Sequence, residues 1–142
     1  MGKTVTDYAN DYVEGYNARD LDRVCEHLGE KTAISLAGGM LPFADLDAFR
    51  THTTNEWHAF PDATFVITMI REFDGGGVVE GVWSGTLRNE MIVPGMEPLP
   101  PTGKRTDLPC AIVLEADDRG VTRLTGYWNS LIALSQLGLM PG

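Results

Sequence analysis

The sequence is poor in basic residues and has no long apolar stretch. It carries 11 lysines and arginines against 20 aspartates and glutamates, a formal net charge of −9. This charge repels phosphate backbones and anionic lipid, so we expect neither nucleic acid nor a membrane as a partner. No apolar run approaches the roughly 20 residues of a membrane-spanning helix, and the first residues lack a basic-then-apolar leader pattern. We therefore expect a cytoplasmic protein.

Cysteine is also scarce. Cys25 and Cys110 are the two cysteines of the chain, and neither has another cysteine or a histidine at metal-ligand spacing. The sequence thus predicts two free thiols, no metal site and no cofactor. A chain of this length buries about 68–70% of its unfolded surface, so we expect residues 1–142 to form one domain.

Three helices are predicted in the first half. The first spans about residues 4–18, where Thr4 with Asp7 forms a capping-box pattern. Asp20 caps a second helix that ends at Gly29. A short strand over 32–37 precedes a third helix, which Asp45 caps and Pro61 ends.

Two β-hairpins are predicted in the second half of the sequence. Their strands are rich in β-branched and aromatic residues and are joined by glycine-containing turns; they span 64–73, 78–87, 105–116 and 121–129. Helices first and an antiparallel run afterwards predict an α+β fold, in which three N-terminal helices pack on a strongly curved antiparallel sheet.

The connection between the hairpins, residues 88–103, holds four of the eight prolines and several apolar side chains. So long a loop in a small domain is usually functional, and a lid over a binding site is one interpretation. A β-hairpin that packs against a second subunit is the other.

Five short motifs occur in a fixed order along most of the chain. They begin at Tyr16, Phe60, Val82, Pro100 and Gly126 and are Tyr-Asn-Ala-Arg-Asp-Leu-Asp, Phe-Pro-Asp, Val-Trp-Ser-Gly-Thr, Pro-Pro-Thr-Gly-Lys and Gly-Tyr-Trp-Asn. This series resembles the SnoaL-like polyketide cyclase branch of the NTF2-like superfamily. The resemblance implies a small cone whose mouth takes an apolar organic substrate, cofactor-free chemistry and a homodimer.

Two positions depart from the pattern of that family. Asn129 stands where the cyclases have a proton-transferring aspartate, and Leu87 follows Gly85-Thr86 where they often have histidine. An amide can hold an oxyanion but cannot shuttle a proton. Tyr127 shares a strand face with Asn129, so we predict that this pair stabilises an enolate oxygen if the face lies inside the cone.

Two residues remain as candidates for proton transfer. Asp107 interrupts an apolar strand, where it is either solvated at the strand end or buried with a raised pKa. His58 lies at the end of the third helix; an imidazole there suits acid–base work, but a lone histidine at a helix end is more often a surface residue. The ligand wall is predicted from aromatic and methionine residues, namely Trp57, Trp83, Tyr12, Tyr16, Met40, Met69, Met91 and Met96.

The leading hypothesis is cyclase or isomerase chemistry through an enolate, with Asp107 or His58 moving the proton. One alternative is epoxide hydrolysis of the limonene type, with Asp107 beside Arg105 or Arg88. The other is a binding module without chemistry, which the missing aspartate and histidine favour.

Overall fold

The structure is a computed structural model that describes residues 3–39, 41–93 and 95–140; Met40 lies outside them. Its helices are α1 (Val5–Asn17), α2 (Leu21–Val24), α3 (Leu46–Ala59) and α4 (Ser130–Gln136). Its strands are β1 (Ala33–Leu36), β2 (Leu41–Pro42), β3 (Thr64–Phe73), β4 (Gly76–Thr86), β5 (Arg105–Asp117) and β6 (Gly120–Trp128). A 3₁₀ turn, Ala37–Gly39, separates β1 from β2.

The six strands form one sheet in the order β2-β1-β6-β5-β4-β3. The four long strands pair antiparallel with their neighbours, and β1 adds to β6 in parallel. The α+β class predicted from the sequence is confirmed. Two elements were not predicted: β2, which pairs with β1, and α4, which begins where β6 ends.

The predicted helix caps are present. Thr4 and Asp7 make the reciprocal bonds of a capping box, and the side chains of Asp20 and Asp45 accept from backbone N–H groups three residues later. The predicted end of the second helix at Gly29 is wrong, because α2 already ends at Val24. Beyond it, the carbonyl oxygen of His27 accepts a 3.0 Å hydrogen bond from the backbone N–H of Val121, which ties the chain to β6 instead of continuing the helix.

The core lies between α1, α3 and the concave face of the sheet. Phe49, Val79, Leu87 and Leu124 are among its most buried side chains. No helix among the described residues is long and apolar enough to cross a membrane.

A β-bulge in β3 changes which side chains face the core. Phe65 and Ile67 point inward, but the register shifts between Ile67 and Met69, so that Ile70 opposes the buried Val79 and Met69 opposes the exposed Glu80. The extra residue of the bulge reverses the strand's alternation from this point on. Met69 therefore lies on the outer face.

An acid-sensitive ionic cluster surrounds Asp11, in the middle of α1. Asp11 accepts from the Lys3 ammonium at 2.6 Å and contacts His27 Nε2 at 2.8 Å, and these bonds lower the pKa of Asp11 to about 2. The pKa of an aspartate in an unfolded chain is about 3.9. The cluster therefore stabilises the fold above that pH, and its contribution is lost as pH falls towards 2.

Asp11→Asn is expected to flatten the acid side of the stability profile. In urea titrations, the midpoint of the wild type should fall more between about pH 5 and pH 2 than that of the variant. Asp118→Asn, on an exposed hairpin turn, is the matched control and should follow the wild type. Parallel profiles for wild type and Asp11→Asn would contradict the assigned role of the cluster.

Candidate active site

A cavity of about 330 Å³ opens at one end of the curved sheet. Its walls come from α1, α3, α4, the inward faces of β4 to β6 and the 88–103 loop. The lining is mainly apolar and aromatic, the usual character of a small-molecule site. Trp83, Leu108 and Trp128 contribute from three neighbouring strands.

A chain of hydrogen bonds forms the polar side of the cavity. The Trp83 indole N–H donates to the Tyr16 hydroxyl at 2.8 Å, and that hydroxyl donates to Glu56 Oε2 at 2.5 Å. His52 Nε2 lies 3.9 Å from the other carboxylate oxygen, Glu56 Oε1. An indole N–H can only donate, so the Tyr16 hydroxyl accepts from Trp83 and donates its own O–H to Glu56. Glu56 Oε1 is thereby left as the oxygen available to a ligand.

The two tyrosines of the cavity stay protonated. Burial raises the pKa of Tyr16 well above its ordinary value, and the nearby Glu56 carboxylate and the hydrogen bond to it raise it further. Burial, followed by the charge of Glu56, also raises the pKa of Tyr12. Both residues can therefore act as hydrogen-bond donors and neither as a base at neutral pH.

No lysine or arginine occurs among the described residues that line the cavity. Glu56 places a carboxyl group there, and the chain as a whole is acidic. An anionic ligand would meet repulsion with no cation to offset it. The cavity is thus suited to uncharged molecules.

Comparison with known proteins identifies the family. The SnoaL-like domain matches residues 9–124, which is most of the chain. The chain belongs to the SnoaL-like family. The resemblance drawn from the five motifs is confirmed. A search of curated proteins finds no match.

Solved structures share the fold of this SnoaL-like chain. IdmH from Streptomyces antibioticus, a "putative polyketide cyclase", is 20% identical with a TM-score of 0.77, covering 96% of this chain and 99% of its own. AclR from Streptomyces galilaeus, a "putative hydroxylase", is 18% identical with a TM-score of 0.78 and covers 96% of both chains. A "putative SnoaL-like polyketide cyclase" from Jannaschia sp. CCS1 reaches 0.82 at 11% identity, covering 99% of both. At these identities the likeness shows the fold alone.

Most of the predicted wall residues line the cavity. They are Tyr12, Tyr16, Trp83, Met91 and Met96. Met69 does not, because the bulge in β3 turns it outward. Trp57 does not line it either, since its ring packs between the Tyr16 ring, 5.6 Å away, and the Arg19 guanidinium, 5.7 Å away.

The structure places Asn129 and Tyr127 outside the cavity. Gly126 and Trp128 line it, so the residue between them points to the opposite face, where Tyr127 is 43% exposed and lies beside Gly38. The strand ends at Trp128, and Asn129 becomes the N-cap of α4, with its side-chain oxygen accepting from the Ile132 N–H at 3.1 Å. Strand alternation therefore no longer applies to Asn129.

Asp107 and His58 also lie apart from the cavity. Thr106 and Leu108 face inward, so Asp107 faces outward, where Ser84 Oγ donates to it at 2.7 Å and Arg105 at 3.1 Å. These two partners lower the pKa of Asp107. Of the two environments predicted for this carboxylate, the structure therefore shows the solvated one. His58 is exposed, and the Asp107–Arg105 pair of the epoxide hypothesis lies outside the cavity with it.

His52 and Glu56 line the cavity but are not among the residues predicted from the sequence. Phe49, His52, Thr53 and Glu56 share one face of α3 at the spacing i, i+3, i+4, i+7, and Phe49 and Thr53 are buried. Because Phe49 and Thr53 are apolar or small and lie on the core side, His52 and Glu56, at the same helical spacing, point the same way. That spacing is the signal that could have found the site.

Two further segments close the cavity. The 88–103 loop is pinned by a mutual pair of 2.9 Å backbone hydrogen bonds between Met91 and Leu99, both of which line the cavity. Helix α4 is held by Gln136, whose side-chain oxygen accepts from the Thr106 hydroxyl and from the Asp107 N–H. Ala133, Leu134 and Leu137 of this end of the chain complete the wall.

Proposed function

We propose that this SnoaL-like protein moves a proton at a carbon next to a carbonyl group of a small, uncharged, largely apolar molecule, forming an enolate. The observation that carries the proposal is the Trp83–Tyr16–Glu56 chain with His52, which forms the polar side of an otherwise apolar cavity. A carboxylate with one oxygen held and one free is suited to act as a base.

Each residue of the chain has a role in this proposal. Glu56 Oε1 takes the proton from carbon, and Tyr16 holds Oε2 so that the free oxygen faces the ligand. Trp83 fixes the direction of the Tyr16 hydroxyl. Tyr12 and His52 also line the cavity and are donors that can stabilise the negative charge on the enolate oxygen.

Ring closure follows from the same groups. After the C–H proton has moved to Glu56, the enolate carbon forms a C–C bond to a second carbonyl carbon of the same molecule. The oxygen of that carbonyl then takes the proton back from Glu56. The product is an isomer of the substrate, so the step needs no oxidant or reductant. IdmH and the Jannaschia protein are described as polyketide cyclases, which supports ring closure as the class of reaction.

A homodimer is also proposed, from the outer face of the sheet. Val66, Val82 and Pro109 lie side by side in the registers of β3, β4 and β5, and Val66 is 60% exposed. An apolar row of this kind on an open sheet face suits contact with a second copy.

The proposed chemistry is expected to appear as hydrogen exchange on a simple ketone. 2-Tetralone is neutral, has two rings and carries acidic C–H bonds beside its carbonyl. In D₂O, the wild-type protein should accelerate loss of the C1 proton signal in the NMR spectrum above the buffer rate. 2-Naphthol, a flat analogue of the enolate, should inhibit this exchange.

The same experiment distinguishes the binding module from the enzyme. Tight binding of 2-naphthol without any acceleration of exchange would mean that the cavity binds but does not catalyse. Acceleration that 2-naphthol does not inhibit would place the chemistry outside the cavity. Either result would contradict the proposal.

A further inference from the structure

A second recess, of about 310 Å³, lies on the other side of His52. Its walls come from β2 and the residues after it, from one face of α3 and from Ile92. Residues that line this recess and not the cavity are Pro42, Phe43, Ala44, Ala48 and Thr51. Apart from Thr51 they are apolar or aromatic, so the recess suits an uncharged, apolar group.

The recess and the cavity share part of their walls. Leu41, His52, Asn55 and Ile92 line both spaces. The aromatic packing is also continuous, because the Phe43 ring of the recess lies 5.1 Å from the His52 ring and 5.6 Å from the Phe49 ring of the cavity. The two spaces therefore adjoin at His52, and a ligand longer than the cavity has a second apolar space beside it.

Two side chains at this junction have unused binding capacity. The Asn55 amide makes no hydrogen bond to any residue within 3–39, 41–93 or 95–140, although it lines both spaces. Ile92 is 41% exposed, a large apolar surface for a side chain that covers both spaces. An amide offers a donor and an acceptor, so a ligand carbonyl or hydroxyl could bind Asn55 while its apolar frame covers Ile92.

We propose that the ligand is longer than the cavity and that its far end occupies this recess. The walls of the two spaces suit an elongated, uncharged, apolar molecule that carries an oxygen near its middle. Its reacting end lies at Glu56, its central oxygen at Asn55 and its apolar end between Phe43 and Ala48. This inference rests on the proposed function, because it takes the cavity as the binding site for the reacting end.

The test compares two probes on variants that fill the recess. 2-Naphthol has two rings and fits the cavity alone, whereas 6,11-dihydroxynaphthacene-5,12-dione has four rings in a line. Ala48→Phe and Thr51→Phe each place an aromatic ring in the recess. Thr54→Phe adds the same ring to an exposed position of α3 that lines neither space, so it is the matched control. Dissociation constants are measured by quenching of tryptophan fluorescence, since Trp83 and Trp128 line the cavity.

Both recess variants should weaken binding of the four-ring probe by about tenfold or more, because its far end loses buried apolar contact. Binding of 2-naphthol should stay within about twofold of wild type, and Thr54→Phe should leave the affinity for both probes unchanged.

Unchanged affinity for the four-ring probe in both recess variants would overturn the inference. Equal losses of affinity for the two probes would mean that the recess only supports the structure. Equal slowing of their association would mean that the recess is an entrance to the cavity. Either result would also overturn the inference. If the wild type binds 2-naphthol and not the four-ring probe, the cavity remains the binding site and the proposed role of the recess fails. If it binds neither probe, the proposed function of the cavity fails as well.

Discussion

Glu56→Gln is expected to lower the rate of 2-tetralone exchange by about 10²–10⁴-fold, the range for loss of a general base. Glutamine keeps the shape of the side chain, and its carbonyl oxygen can still accept from the Tyr16 hydroxyl. Its amide cannot take a proton from carbon. Binding of 2-naphthol should therefore change little while turnover falls, and the measurement is the exchange rate beside the dissociation constant.

Matched substitutions separate this effect from general loss of charge or stability. Glu30→Gln removes the same charge from an exposed site and should leave exchange unchanged. His52→Gln should lower the rate, whereas His58→Gln, on the same helix but exposed, should not. Asp107→Asn should also retain activity, because Asp107 faces away from the cavity. Full activity in Glu56→Gln, or a large loss in Asp107→Asn, would return the assignment to the residues first predicted.

The fold was predictable because its signals are local. Helix caps at Thr4, Asp20 and Asp45 depend on contacts within three residues, and the hairpin turns are marked by glycine. The short pairing of β1 with β2 was not predictable, because a two-residue strand has no period to detect. Helix α4 was missed because Asn129, its N-cap, was taken as the last residue of a strand.

The site was less predictable because it depends on which face of the sheet each side chain of a strand points to. One residue of shift in a strand moves every side chain to the other face. The bulge after Ile67 made that shift for Met69, and the end of β6 at Trp128 removed Asn129 from the strand pattern. Of the predicted pair, Tyr127 lies on the outer face of the sheet and Asn129 caps α4, while Trp128 lines the cavity. Neither a bulge nor a strand end of this kind has a sequence signal as clear as a helix cap.

One departure from the family pattern lies in the core and not at the cavity. Leu87 stands where the cyclases often carry a histidine, and here it is fully buried in the core and does not line the cavity. Its backbone is fixed at the base of the 88–103 loop by bonds to Lys104 and Gly103. The position thus supports the fold in this protein, while the ionisable side chains His52 and Glu56, which line the cavity, come from α3.

Leu87→Ala is accordingly expected to destabilise the protein by about 2–5 kcal/mol, because it removes buried methyl groups and leaves a void that the surrounding sheet cannot fully close. Leu131→Ala is the matched control, since Leu131 is 60% exposed, and it should change the free energy of unfolding by no more than about 0.5 kcal/mol. Urea unfolding of both variants gives the two values. Leu87→His should also destabilise the fold by burying a polar ring, and it should not raise the exchange rate. A stable Leu87→His variant with faster exchange would show instead that this position faces the chemistry.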